Sequence, residues 1–358
     1  MSYAFYFGVL LICGLFAWLA NRHNSKACVW MIIITLTLVA GLRDYSVGID
    51  TQNYVNLFHV IEQKRFQYAY GLEESFKYIC YAVLVLFKSD TVLLLLLGLL
   101  TNWCIIVRFW ELRKISSFTC MVVCYYAAFF FMTLNGMRQF CAVAIIFFGT
   151  RYLSSKKILW FIVCVVLAMM FHRSAAIGFM LLAINCLRWK ELPKGQRIFY
   201  LTCALLVPIL FAGILPILQR YEKYFYQTSV DIGFMLPLKL VFLAATVLWI
   251  FVLHKQFSYF RFDASMESSD RYNMLMATIS YVLALLLAML GYAFPTVSRI
   301  SWYVYLFEGV YFGMLLKGKS PLIRVLLGYA IALVIGYGFI YSMTNDSQGN
   351  MPYLFIWQ

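Results

Sequence analysis

Charged residues are scarce in this sequence: Asp, Glu, Lys and Arg together make up only 12% of its 358 residues. In a soluble domain roughly a quarter of the residues are charged, so a soluble globular protein is excluded. Hydrophobic residues make up 64% of the chain and fall in runs long enough to cross a lipid bilayer. We therefore predict an all-α fold, a polytopic bundle of transmembrane helices that forms one integral-membrane domain over residues 1–358.

The sequence also lacks the short motifs by which many enzymes bind phosphate or metal. It contains no GxxxxGK(S/T) loop, no HExxH pair and no GxSxG turn. None of its ten cysteines forms a CxxC pair, and most lie inside apolar runs, where a thiol behaves as a small apolar group. We predict no disulfide bond, no metal site and no cofactor.

The net charge of +14 does not indicate a nucleic-acid partner. Most of the lysines and arginines lie in short loops between apolar runs, as expected of loops that stay in the cytoplasm. We predict that membrane lipids surround the protein. The predicted cytoplasmic loops are 21–26, 108–117, 151–157, 188–197, 254–271 and 317–324.

Apolar runs of about 20 residues predict the spans, because a helix of that length crosses the roughly 30 Å of bilayer hydrocarbon. We predict about twelve spans, with a range of about 11–14. They lie near residues 3–20, 27–42, 91–108, 118–135, 137–153, 158–172, 174–188, 198–217, 236–254, 272–291, 300–316 and 322–343. On the outer side, loops 43–74 and 218–235 and the helical hairpin turns 135–138 and 172–174 are predicted to form the active face.

One apolar segment, residues 75–88, is too short for a full span. As a helix it would extend only about 21 Å. We predict a re-entrant or interfacial helix that leads into the span at 91–108.

Four ionisable side chains border the predicted spans on the outer side: Arg43, Arg138, His172 and Arg299. Such groups are costly to keep at a membrane boundary, so they usually serve a function. Three guanidinium groups on one side of the membrane suggest a cationic pocket for an anionic substrate that is carried by a lipid.

Asp44 and Asp50 lie in the same outer segment as Arg43, in the sequence GLRDYSVGIDTQNYVNLF. Asp50 has two interpretations. It is either the N-cap of the helix that TQNYVNLFHVI suggests, or a carboxylate that accepts a proton from a sugar hydroxyl at the membrane surface. The sequence does not separate them.

Arg138 follows the short turn Asn135-Gly136-Met137 between two apolar helices. It is either an anchor that reaches for lipid phosphate or a bidentate clamp on a substrate diphosphate, with Gln139 adding a neutral hydrogen bond.

His172, Arg173 and Ser174 form a tight predicted turn between two further apolar runs. The turn brings together an imidazole, a guanidinium and a hydroxyl, and histidine can exchange a proton near neutral pH. The alternative is a capping turn, in which Ser174 is the N-cap and the other two side chains are solvated.

Arg299 begins the sequence RISWYVYLFEGVYF, which predicts one helix over 300–316 with Tyr303 one turn further on the same face. Glu308 falls near the middle of that span, where a carboxylate needs a partner or a wet cavity. It is either a structural hydrogen-bond hub or the floor of a polar cavity.

The order of these segments resembles a known family. RDYSVGIDTQNYVNLF followed by GLEESF is similar to the first outer loop of EpsG-like proteins, which belong to the Wzy-type polysaccharide polymerases. NGMRQFCAVAI and MMFHRSAAIGF resemble that family's central pair of spans, and SRISWYVYLF resembles its late arginine–tyrosine helix. The resemblance covers nearly the whole chain. Ile49 departs from it, since a threonine is common at that position.

The resemblance implies a multi-pass protein of the bacterial plasma (inner) membrane with a fold like that of GT-C-like membrane glycosyltransferases. It implies a metal-independent polymerase of O-antigen or exopolysaccharide. Such an enzyme moves a growing glycan from undecaprenyl diphosphate onto a sugar hydroxyl of the next lipid-linked repeat unit, at the periplasmic or extracellular face. The implied partners are the undecaprenyl-diphosphate-linked oligosaccharide and a chain-length regulator.

The resemblance also suggests roles for the outer residues. Arg43, Arg138 and Arg299 would bind the diphosphates and neutralise their developing charge. His172 or Asp50 would be the base, with His172 preferred because its hairpin is expected to lie close to Arg138. The other candidate residues would position the substrate: Asp44, Tyr54, Gln139, Arg173, Ser174, Tyr303 and Glu308.

Two other classes of protein stay open. A ligase, or another transferase that acts on the same lipid carrier, would use nearly the same residues. A transporter usually has repeated halves and helices broken at mid-membrane by Gly or Pro, whereas this chain has seven prolines and no matched halves.

Overall fold

The computed structural model describes residues 2–63, 73–185, 241, 244, 266–293, 295–317, 321–346 and 348–358. The predicted span at 198–217, nearly all of the one at 236–254, and outer loop 218–235 lie outside these described residues. The chain divides into two compact units. Unit 1 contains residues 1–151, 161–176 and 308–358, and unit 2 contains residues 152–160 and 177–307.

The described residues form helices throughout, apart from an isolated antiparallel bridge between Arg43 and Phe355. The first eight helices are α1 (Ser2–His23), α2 (Lys26–Gly41), α3 (Thr51–Glu62), α4 (Glu74–Phe87), α5 (Asp90–Leu112), α6 (Phe118–Asn135), α7 (Met137–Ser154) and α8 (Ile158–Phe171). A 3-10 helix (Arg173–Phe179) leads into α9 (Met180–Ile184), and α10 (Ser268–Ala293), α11 (Pro295–Tyr305), α12 (Phe307–Leu316) and α13 (Pro321–Asn345) follow. The all-α prediction is confirmed for this part of the chain.

Within the described residues, five helices are long and apolar enough to cross a membrane: α1, α5, α6, α13 and α10 over Ser268–Gly291. Shorter apolar helices are α2, α8 and the segment Arg173–Ile184. The chain is a membrane protein, as predicted. The number of about twelve spans stays a prediction.

Helix α6 has the predicted bounds because both of its ends carry sequence signals. The Ser117 hydroxyl accepts a hydrogen bond from the Cys120 N–H at 3.5 Å, and Gly136 follows the last residue. Helix α6 packs against α1, α5 and α13, and α2 packs against α1 and α5. A Cβ on Gly98 of α5 would lie 3.0 Å from the Ala40 Cβ of α2, so the missing side chain lets these helices approach closely.

The two ends of unit 1 differ in chemistry. At one end, which we call the basic end, three of the predicted cytoplasmic loops meet. Arg113 donates to Asn24 at 3.2 Å, and the Lys317 ammonium donates to the carbonyls of Arg113 and Lys114. The opposite end, which we call the loop end, contains loop 42–50, the tail 348–358, the turn at 135–137 and the hairpin 172–174.

Helix α4 begins and ends at the loop end. Just before it, Glu73 pairs with Arg138 at 2.5 Å, and just after it, Asp90 accepts a hydrogen bond from the Tyr45 hydroxyl at 3.0 Å. Both partners lie at the loop end, so the helix returns to the side from which it starts. This geometry agrees with the re-entrant or interfacial helix predicted for residues 75–88.

The prediction of one helix over 300–316 is wrong. Helix α11 ends at Tyr305 and α12 begins at Phe307, with a turn at Leu306. The break itself contains neither Pro nor Gly, so the local sequence carries no strong signal for it. Glu308 consequently lies in the first turn of α12 rather than at the middle of a helix.

Candidate active site

Arg43 is fully buried in loop 42–50 and bonds to the protein's own backbone. Its Nη2 donates to the Leu134 carbonyl at 2.7 Å, its Nε donates to the Val47 carbonyl at 3.2 Å, and its Nη1 donates to the Ala40 carbonyl. The Thr51 hydroxyl accepts from Nη2 at 3.1 Å. Burial lowers the pKa of Arg43 to about 10, so it stays charged at neutral pH. A diphosphate at this guanidinium would have to replace these bonds.

The C-terminal tail is joined to loop 42–50 by backbone hydrogen bonds. Backbone hydrogen bonds join the two segments at Asp44 N–Leu354 O (2.9 Å), Gly48 N–Gly349 O (2.6 Å), Ile49 N–Gln348 O (3.1 Å) and Ile356 N–Leu42 O (3.0 Å). The loop is therefore held from one side by the tail and from within by the buried Arg43.

Gly48 is required by the shape of this loop. Its φ is +91°, and a Cβ there would lie 2.8 Å from the Thr51 hydroxyl and 3.1 Å from the Asn135 side-chain oxygen. The close approach lets Asn135 accept a hydrogen bond from the Asp50 N–H at 3.2 Å. The loop is thereby fixed to the end of α6, one turn of chain before Arg138.

Asp50 occupies the N-cap position of α3, but its side chain makes no capping hydrogen bond. Among the described residues its carboxylate oxygens accept no hydrogen bond from a protein group. Asp44 differs, because it accepts bonds from the Ser46 N–H at 2.9 Å and the Ser46 hydroxyl at 2.6 Å. These bonds lower the pKa of Asp44. Of the two carboxylates, Asp50 has the oxygens that are available to a ligand.

Arg138 lies at the first turn of α7, paired with a carboxylate that was not among the predicted site residues. Its Nη1 contacts Glu73 Oε2 at 2.5 Å, and the two side chains are only 17% and 10% exposed. The guanidinium carbon lies 5.5 Å from the centre of the Phe76 ring. Its Nε is buried and donates to no described residue.

Tyr54 of α3 interacts electrostatically with both Arg138 and Asp50. Burial raises the pKa of the Tyr54 phenol, the Arg138 charge and its hydrogen bonds lower that pKa, and the Asp50 charge raises it. These influences fall off with distance, so the guanidinium, the phenol and the carboxylate belong to one neighbourhood.

The hydrogen bonds of the hairpin 172–174 define which nitrogen of His172 carries a proton. Its Nδ1 accepts a bond from the Ser174 backbone N–H at 3.2 Å and lies 2.7 Å from the Ser174 hydroxyl. Because a backbone N–H can only donate, Nδ1 acts as an acceptor, and we infer that the proton of the neutral ring is on Nε2. In this tautomer Nε2 of His172 is a hydrogen-bond donor.

The same hairpin is joined to Arg138 through Glu73. The Arg173 N–H donates to Glu73 Oε1 at 2.9 Å, while the Arg173 side chain is exposed. Glu73 therefore binds Arg138 with one oxygen and the hairpin with the other. Glu73 lies in the sequence GLEESF, next to Glu74. Glutamates are common at the start of a helix, so the local sequence does not distinguish Glu73 from Glu74.

The structure brings together only part of the predicted site. Arg138, Tyr54, Asp50 and the hairpin 172–174 share the loop end, next to Arg43 and Asp44; Gln139 is buried beside Arg138. Glu308 is buried near Cys124, in the half of α6 closer to the basic end, so it does not join them. Arg299, which is exposed, and Tyr303, which is buried, belong to unit 2.

Across the residues that the structure describes, no group of three or more His, Cys, Asp or Glu side chains has the arrangement of a metal site. The residues that meet at the loop end are instead cations, single carboxylates and hydroxyl groups. Such a set can bind an anionic group and transfer one proton.

Fold and site together define a helical membrane protein with an ionisable cluster at one end. The family model of the EpsG family matches residues 26–355, and the chain belongs to this family. Membership indicates a membrane protein of polysaccharide biosynthesis. No curated protein and no solved structure matches the chain, so the expected likeness to GT-C-like glycosyltransferases stays a prediction.

Proposed function

We propose that this protein is a Wzy-type polysaccharide polymerase. It transfers a growing glycan from undecaprenyl diphosphate onto a sugar hydroxyl of the next lipid-linked repeat unit. The observation that carries the proposal is Arg138, held by Glu73 beside the hairpin 172–174 at the loop end, in a chain that belongs to the EpsG family.

The distribution of charge supports an outward orientation for the loop end. Basic loops of multi-pass proteins stay in the cytoplasm, and three of them meet at the opposite end of unit 1. The loop end then faces the periplasm or the exterior of a bacterial plasma membrane, where lipid-linked repeats are joined. A chain-length regulator is a proposed partner on that side.

In the proposed site Arg138 binds the substrate diphosphate. The planar guanidinium suits two phosphate oxygens, and its positive charge becomes more favourable as the leaving diphosphate gains charge. Arg173, whose side chain is exposed, is a proposed second contact, and the role of Arg299 stays a prediction from the sequence. Arg43 contributes indirectly, because it holds loop 42–50 and with it Asp50.

Asp50 is the proposed base. Its carboxylate accepts the proton of the acceptor hydroxyl as that oxygen forms a bond to the anomeric carbon. The bond from this carbon to the diphosphate oxygen breaks, and its electron pair leaves with undecaprenyl diphosphate. The inferred Nε2–H of His172 suits a hydrogen-bond donor to the leaving group better than a base. We therefore propose Asp50 as the base, although the sequence favoured His172.

A ligase on the same lipid carrier is the second candidate, since it would differ only in its acceptor. The ionisable side chains of the proposed site in unit 1 lie together at the loop end rather than along a path across the membrane, which favours either transferase over a transporter.

The test is a glycan ladder from cells that lack this chain, complemented with wild type, Arg138→Lys or Arg113→Lys. Lysine keeps the pair with Glu73 but loses the planar fork, so Arg138→Lys should shorten the ladder to one or a few repeats. Arg113 lies at the basic end and serves as the matched control. A full ladder from Arg138→Lys at normal protein level contradicts the proposed clamp, and a full ladder without the chain contradicts the polymerase.

A further inference from the structure

The segment 73–76 contacts both Arg138 and the hairpin 172–174 of the candidate site. The Glu73 side chain is 10% exposed and binds Arg138 through Oε2 and the Arg173 N–H through Oε1. A carboxylate that is this deeply buried is costly unless both of its oxygens have partners.

Two neighbours of Glu73 make contacts to the same groups. The Ser75 hydroxyl donates to the Met170 carbonyl at 2.6 Å, which ties α4 to the end of α8 just before the hairpin. The Phe76 ring lies 5.5 Å from the Arg138 guanidinium carbon and 6.4 Å from the Phe171 ring. One short segment, which contains Glu73, Ser75 and Phe76, therefore contacts both Arg138 and the hairpin with the residues just before it.

Such a segment matters because an arginine side chain is flexible. Holding it in one rotamer costs conformational entropy. If the protein has already fixed the guanidinium, the substrate does not have to supply that ordering when it binds.

We propose that Glu73 is a positioning residue, which holds the Arg138 guanidinium and the hairpin 172–174 in the arrangement that binds the diphosphate of a lipid-linked substrate. This proposal rests on the proposed function. Glu73 acts through Arg138 and does not touch the substrate.

Glu73 has a second physically reasonable effect, which is to weaken diphosphate binding. Glu73 also neutralises Arg138, so a carboxylate that merely competes with the diphosphate would weaken binding. Removal of its charge would then tighten binding, whereas removal of a positioning contact weakens it.

The experiment measures binding of undecaprenyl diphosphate, and separately of undecaprenol, to the full chain purified in detergent. The ratio of the two dissociation constants isolates the contribution of the diphosphate from that of the polyprenyl tail. Wild type is compared with Glu73→Gln and with Glu74→Gln. Glu74 is the matched control, since it is the adjacent glutamate and its side chain is 70% exposed.

We expect Glu73→Gln to lower the diphosphate preference about tenfold, the scale of one charge-assisted hydrogen bond, and Glu74→Gln to leave it unchanged. Glu73→Asp keeps the charge and should restore part of the loss. An unchanged or tighter preference in Glu73→Gln contradicts the positioning role.

Thermal unfolding separates positioning from simple stabilisation of the fold. The double variant Glu73→Arg with Arg138→Glu keeps an ion pair but moves the guanidinium to α4, so we expect a protein that unfolds at the wild-type temperature and lacks the diphosphate preference. A double variant that keeps the preference contradicts the proposal, because the guanidinium would then not need to be held on α7. If the wild type binds undecaprenol as tightly as undecaprenyl diphosphate, the proposed function itself is contradicted. If the wild type prefers the diphosphate and Glu73→Gln shows the same preference, only this inference is contradicted.

Discussion

At the scale of single residues, two arginines at the same end of unit 1 have different surroundings. Arg43 donates to three backbone carbonyls and is fully buried. Arg138 has one carboxylate partner and a donor, Nε, with no described partner. The sequence placed both at span ends and assigned them one role. Their difference arises from contacts far apart in the chain, which no local pattern encodes.

Arg43→Ala should therefore lower stability. Each buried carbonyl that loses its donor costs about 1–3 kcal/mol, so several lost bonds should unfold loop 42–50 and reduce the protein level. Thermal unfolding of the detergent-purified protein checks this, with Arg113→Ala as the control at the basic end. Equal unfolding temperatures for Arg43→Ala and wild type would contradict the structural role.

Asp50→Asn should abolish transfer while the protein stays folded. The amide cannot accept the hydroxyl proton, and loss of a general base lowers rates by about 10²–10⁴-fold. The side chain makes no capping bond, so little stability should be lost. Initial rates of glycan extension check this, with Glu62→Gln at the other end of α3 as the control. Wild-type rates in Asp50→Asn would leave the reaction without its proposed base.

At the scale of elements, the sequence was most informative where length and capping agree. Ser117 and Gly136 bound α6 at the predicted residues, and the short apolar run at 75–88 predicted a short helix, whose two ends both lie at the loop end. It was least informative at Leu306, where apolar residues continue through a break. It also missed Glu73, because a helix-start glutamate looks the same whether it is solvated or paired with an arginine 65 positions away.

The path of α4 can be tested by labelling with a membrane-impermeant maleimide in intact cells. Glu74→Cys and Lys88→Cys, at the two ends of the helix, should react from the same outer side because both ends lie at the loop end. Lys114→Cys at the basic end should react only after permeabilisation. Labelling of Lys88→Cys from the side of Lys114→Cys would mean that α4 crosses the membrane.

At the scale of the whole molecule, charge separates the two ends of unit 1 and thereby assigns them to sides. The family match over residues 26–355 indicates polysaccharide biosynthesis, and the cluster at the loop end supplies a cation and a carboxylate where a lipid-linked diphosphate would meet an acceptor hydroxyl. The C-terminal tail completes this end by covering loop 42–50 through backbone bonds. Membership in the family alone does not distinguish joining identical repeats from transfer to another acceptor.

The most direct measurement is reconstitution of the purified chain in liposomes with lipid-linked repeat units extracted from cells that lack it. The account predicts products of two or more repeats, with one undecaprenyl diphosphate released for each repeat joined. Repeats that stay single with a monodisperse wild-type preparation, or transfer only onto a different acceptor, would contradict it.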